Sequence, residues 1–154
     1  MKTISKWIHE NQFLIHNDRN FLVSVTDPSD KSKYGDPTSW DLILMGFSGC
    51  VSAEFVKISN DKNLYFSEFL VEMKVNSKYN DKHISFDVIL KIKTSAAEHH
   101  IQFCLNEAIK HCPLGILTST IDIPINTHIT IDRNFQLEKS IQVKPENIKK
   151  NSLQ

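Results

Sequence analysis

The chain has 154 residues, 40% of them hydrophobic and 23% charged, which fits one globular domain and excludes fibrous and disordered classes. Eighteen basic residues balance eighteen acidic ones, and Arg19 and Arg133 are its two arginines, so the phosphate-binding surface of a nucleic-acid protein is not expected. The start, Met1 to Glu10, has no apolar signal core, and no uninterrupted apolar run approaches the roughly 20 residues that span a bilayer. A cytoplasmic protein without a membrane partner is therefore expected, with its three cysteines reduced at rest.

In chain order, Gln12 to His16 and Phe21 to Val25 predict a short hairpin around Asn17-Asp18-Arg19-Asn20. Asp27 to Pro37, with its prolines, glycine and charges, predicts a loop. Thr38 and Asp41 then form a Thr-x-x-Asp capping pattern that opens a helix. From Leu42 to Val56 this helix is apolar nearly all round, which predicts burial on most sides in the middle of the fold. Gly46 and Gly49 each cost a helix about 1 kcal/mol relative to alanine, so a close neighbour, a partner helix in the simplest case, is expected against them.

Period-two alternation predicts three strands. Phe69, Val71, Met73 and Val75 carry the first, and Ile84, Phe86, Val88, Leu90 and Ile92 the second, joined as an antiparallel hairpin through the polar segment 76–82. Ile121, Ile123, Ile125, Ile129 and Ile131 carry the third, with Thr127 filling the register. Between them Ile101, Cys104, Leu105, Ala108, Ile109 and Cys112 mark one face of a second helix, and Pro113 disfavours helical geometry at Cys112. The domain is expected to span 1–138, with a polar, lysine-rich tail over 139–154.

The chemistry rests on the cysteines. Cys104 and Cys112 stand about 12 Å apart along one helical stretch, whereas a disulfide needs Cα atoms within about 7 Å. Cys50 is left to pair with Cys112 or with Cys104, and the position at a helix end before proline favours Cys112. His100 and Cys104 share a helix face at i and i+4, but no cysteine pair has zinc-knuckle spacing, and neither metal nor cofactor is expected.

The run Pro37 to Cys50 resembles the Pro-x-x-(acid)-Leu-Leu-Leu-x-Ala-x-Gly-Gly-Cys helix of the OsmC and organic hydroperoxide resistance family, and His111-Cys112-Pro113 resembles its Cys-Pro motif. The resemblance covers about residues 4 to 133. It implies a two-layer α+β fold, with antiparallel sheets packed on two central helices and two chains intertwined as a homodimer. It further implies that Cys50 is the peroxidatic thiol, oxidised by an organic hydroperoxide to a sulfenic acid, and Cys112 the resolving thiol. An external lipoyl or dithiol reductant then regenerates both. The alternative is a non-peroxidatic member that binds a small hydrophobic ligand at the dimer interface.

Relatives of this kind carry a glutamate ten residues before the first cysteine and an arginine in the N-terminal hairpin. Here Trp40 occupies the first position, with Asp41 beside it but on the opposite helix face from Cys50. Arg19 lies in the expected hairpin without the family's flanking glycines, and is the candidate activating cation. Glu54, one turn beyond Cys50, is expected to oppose ionisation of the thiol.

Overall fold

The computed structural model describes residues 2–9, 12–26, 36–76 and 84–131. Most of the loop expected over 27–37, the 76–82 turn and the expected C-terminal tail lie outside the described residues. Nine elements follow in order: β1 (Thr3–His9), β2 (Gln12–Asn17), β3 (Leu22–Thr26), α1 (Ser39–Asp61), β4 (Glu68–Asn76), β5 (Ser85–Lys93), α2 (Glu98–His111), α3 (Pro113–Thr120) and β6 (Ile125–Ile131). The strands form two three-stranded sheets, β1-β2-β3 and β4-β5-β6, in an α+β arrangement.

The second sheet carries the core because its alternation is regular. Phe69 faces Ile92, Val71 faces Leu90, Met73 faces Val88 and Val75 faces Phe86 across the β4–β5 ladder, so one face of both strands is apolar. Phe86, Val88, Leu90 and Ile92 are buried beneath α1 and α2 together with Phe47, Val51, Phe55, Ile101 and Leu105. Gln102 Nε2 donates to Thr127 Oγ1 at 3.0 Å and ties α2 to β6.

One expectation about this sheet needs correction. It is not wholly antiparallel, because β6 runs parallel to β5. The chain returns between them through α2 and α3, and a crossover of that length is what a parallel pair requires. Ile121, expected in the strand, is instead the C-cap of α3 and is exposed. Asp122 beyond it takes a positive φ of 55°, and Ile123 N–H closes back on Thr118 O at 2.9 Å, so the chain must leave the helix before β6 begins.

α1 opens as the sequence predicts. Thr38 Oγ1 accepts from Asp41 N–H at 3.2 Å, and Asp41 Oδ2 accepts from Thr38 N–H at 2.8 Å, which completes a capping box worth about 1 kcal/mol. Its far end closes at Asn63, also at positive φ, with Leu64 N–H donating to Ser59 O at 2.8 Å. Among the described residues, however, α1 is covered along one face only: Phe47, Val51, Phe55 and Ile58 are buried, while Ile43, Met45 and Val56 are exposed.

With 23 residues and a mean hydropathy of 1.5 over its most apolar window, α1 is also long and apolar enough to cross a membrane by length and composition alone. No uninterrupted apolar run within it is that long, since Ser48, Ser52, Glu54 and Lys57 break it. The packing of α1 on α2 and β4 accounts for its covered face.

The β1-β2-β3 sheet stands beside this core. It is joined to it by a bridge between Thr26 and Thr38, by Thr26 N–H donating to Pro37 O at 3.2 Å, and by Asp36 Oδ2 accepting from Gln12 and Ser24 at 2.8 Å each. β2 and β3 match the expected hairpin, whereas β1 was not anticipated. The sheet leaves Trp7 64%, Leu22 64% and Phe21 70% exposed.

Candidate active site

Cys50 projects from the middle of α1 toward the joint between α2 and α3. That joint is a single residue, Cys112, which is extended at φ −68° and ψ 128° and serves as C-cap of α2 and N-cap of α3. Pro113 explains both roles. Its ring disfavours helical geometry in the residue before it, and its fixed φ suits the first position of a new helix. The effect on Cys112 is the one expected from sequence, and the new helix is not.

A glycine locks the two helices together. The carbonyl of Ile109 would normally accept from the N–H of residue 113, which proline lacks, and Gly115 fills the gap by close approach. A Cβ built on Gly115 would lie 1.8 Å from Ile109 O, so no larger residue fits without moving one helix.

The joint brings Cys112 against Cys50. The two thiols are neighbours, Cys112 fully buried and Cys50 half-buried, and neither is in a disulfide. The Leu114 backbone, in the first turn of α3, lies close enough to the Cys50 sulfur to favour its thiolate. Cys104 is buried on α2 beside Ser59, which helps its thiolate, as does the Lys62 charge, but burial dominates and raises its pKa. Of the pairings left open by spacing, the structure brings together Cys50 and Cys112.

The electrostatics of Cys50 are unfavourable to the thiolate. Burial, the neighbouring Cys112 thiol and the charge of Glu54 push its pKa up to about 11, against the lowering effect of the Leu114 backbone. Glu54 opposes ionisation as expected while lying 3.5 Å from Lys57.

Neither residue at the positions where relatives carry their activating pair reaches the thiol. Trp40 packs its ring on Phe86, 6.5 Å between centroids, and Asp41 is occupied in the capping box, whose Thr38 donors lower its pKa. Arg19 is exposed in the β2–β3 turn with its N–H donating to Asn17 Oδ1 at 2.9 Å, and within one chain its guanidinium contacts neither cysteine. Gly46 meets Leu114, whose Cδ1 would lie 3.9 Å from an added Cβ, whereas Gly49 has nothing within 4 Å. The close neighbour expected at Gly49 is thus absent among the described residues of this chain.

Among the described residues, no three His, Cys, Asp or Glu side chains cluster as metal ligands. A cavity of about 270 Å³ lies beside the joint, lined by Ile109, Lys110, Gly115, Ser119, Ile123 and Ile125.

Comparison with known proteins places this arrangement. No curated protein matches the sequence. An OsmC-like protein of Mycoplasma pneumoniae is similar in structure at a TM-score of 0.72 and 14% identity, covering 84% of this chain and 95% of that one. An organic hydroperoxide resistance protein of Elizabethkingia anophelis reaches a TM-score of 0.72 at 13% identity, covering 84% and 94%. A Bacillus subtilis organic hydroperoxide resistance protein reaches 0.62 at 14%, covering 84% and 96%. These likenesses establish the shared fold, and the family of OsmC-like proteins matches residues 30–128 in sequence. With the family's two cysteine motifs meeting at one joint of that fold, the chain belongs to the OsmC-like family.

Proposed function

We propose that this protein is a thiol-dependent peroxidase that reduces organic hydroperoxides, working as a cytoplasmic homodimer. The observation that carries the reading is the juxtaposition of the Cys50 and Cys112 thiols at the α2–α3 joint. The names of the hydroperoxide resistance proteins similar in structure support the substrate class. The uncovered apolar residues of α1 and of the first sheet support the dimer, since large exposed apolar surfaces mark interaction sites.

In the first step the Cys50 thiolate attacks the terminal peroxide oxygen. The O–O bond breaks, the alkoxide takes up a proton to leave as alcohol, and Cys50 becomes a sulfenic acid. Cys112 then attacks the sulfenic sulfur, a disulfide forms and water leaves. A dithiol or lipoyl reductant exchanges with that disulfide, giving back two thiols while becoming oxidised itself.

Thiolate supply sets the rate of the first step. With a pKa of about 11 for Cys50, only about one thiol in ten thousand is ionised at pH 7. The first-step rate constant, followed by stopped flow with cumene hydroperoxide, is expected to rise about tenfold per pH unit from 7 to 10. A plateau below pH 8 would contradict this site.

The same raised pKa favours a second reading, in which the protein binds a small hydrophobic ligand without turning over peroxide. Steady-state consumption of cumene hydroperoxide with dihydrolipoamide separates the two. Consumption that depends on both the protein and the dithiol is expected, and none above the protein-free rate would leave the binding reading.

A further inference from the structure

We propose that the cleft between the α1–β4 and β5–α2 loops is a second binding site, for a small aromatic carboxylate, independent of the cysteines. The cavity has a volume of about 540 Å³ and is lined by Tyr65, Phe66, Ser67, Lys93, Thr94 and Ser95. Small-molecule sites occupy roughly 300–1,000 Å³, so its size fits such a ligand. Cys50 lies about 17 Å back along α1 from the helix end at Asp61, and neither it nor Cys112 lines the cleft.

Hydrogen bonds between the two loops fix the walls. Thr94 Oγ1 donates to Tyr65 O and accepts from Ala96 N–H at 3.1 Å, and Ser67 N–H donates to Lys93 O at 3.1 Å. The Phe66 ring is held against Phe55, 5.8 Å between centroids, and against Phe69 at 5.1 Å. Tyr65, next in the chain, is instead 79% exposed and offers an aromatic side chain at the rim. A cleft tied in place before a ligand arrives loses little further freedom on binding.

The polar groups of the cleft select the charge of the ligand. Lys93 is the one charged residue among the described lining residues. Its side chain and those of Ser67 and Ser95 make no hydrogen bond or ion pair with any described residue, Glu68 included, which stands opposite Lys93 in the β4–β5 register. Lysine supplies donors and no acceptor, and each hydroxyl can donate as well. The ligand that answers them is an acceptor with a negative charge, and the Tyr65 and Phe66 rings answer a flat apolar body. A carboxylate carried on an aromatic ring supplies both, whereas a cation would be repelled by Lys93.

Indole-3-acetate and its neutral amide, indole-3-acetamide, are the probes, followed by amide chemical shifts of the full chain. Saturable shifts centred on residues 65–67 and 93–95 are expected, with a Kd on the order of 1 mM for the acid. The amide should bind about three- to fivefold more weakly. Lys93→Met should abolish that difference, and Tyr65→Ala should weaken both probes about threefold or more. Both positions are at the surface of the cleft, so the fold should survive either change, and native circular dichroism checks it. No saturation by about 10 mM, equal binding of acid and amide, or an acid preference that persists in Lys93→Met would each overturn the proposal. Hydroperoxide enters none of these readouts, so the peroxidase reading stands or falls separately.

Discussion

Cys50→Ser is expected to abolish hydroperoxide turnover, whereas Cys112→Ser should still consume about one equivalent before stopping. The asymmetry follows from the order of steps. Attack by Cys50 breaks the O–O bond without any contribution from Cys112, but without a second thiol the sulfenic acid has no neighbour to condense with. In Cys112→Ser it should therefore accumulate and advance to sulfinic acid under excess peroxide, read as mass increases of the Cys50 peptide. Equal and complete loss in both variants would place Cys112 in the first step and contradict this order.

The largest stability effect is expected from Gly115→Ala. Its added methyl group would sit 1.8 Å from the Ile109 carbonyl oxygen, a backbone atom held in α2 that cannot rotate away. Relief requires α3 to shift as a unit, at about 3 kcal/mol or more, which for a domain of this size lowers the melting temperature on the order of 10 °C. Function should fall with it, because Cys112 and Leu114 flank the displaced turn. Calorimetry of the variant checks the first effect, and a melting temperature within 2–3 °C of native, about 1 kcal/mol, would show that the joint is looser than described.

Much of the scaffold was legible because its signals are local. The alternation of Phe86 to Ile92 and the three-four spacing of Ile101 to Ile109 each reflect one buried face, and both faces are buried. Thr38 and Asp41 satisfy each other across one turn, so their pattern needs no tertiary information. What escaped the sequence is non-local or two-valued. Pro113 ends one helix and starts another, and reading it only as a stop concealed α3 and with it the roles of Leu114 and Gly115. The parallel pairing of β6 depends on where the crossover returns the chain, which alternation alone does not encode. The coverage expected for α1 does not come from the described residues of its own chain, among which Met45, Gly49 and Val56 remain open.

The candidate site divides in the same way. Cys50, Cys112 and the opposing charge of Glu54 were readable from motif and helical spacing. The substitutions at the activating positions were readable only as departures. Arg19 carries the right charge on a turn that does not bring it to the thiol within one chain, and the Leu114 backbone has no side-chain signature at all. Pro-Leu-Gly directly after a cysteine was the available signal, since proline suits the first position of a helix as well as the residue after one.

The most direct test of the account is which thiols join. One equivalent of cumene hydroperoxide is added to the reduced protein, free thiols are blocked, and the peptides are mapped by mass spectrometry without reduction. A bridge between Cys50 and Cys112, with Cys104 recovered as a blocked thiol, is the predicted result. A bridge containing Cys104, or three free thiols after the peroxide has been consumed, would contradict it.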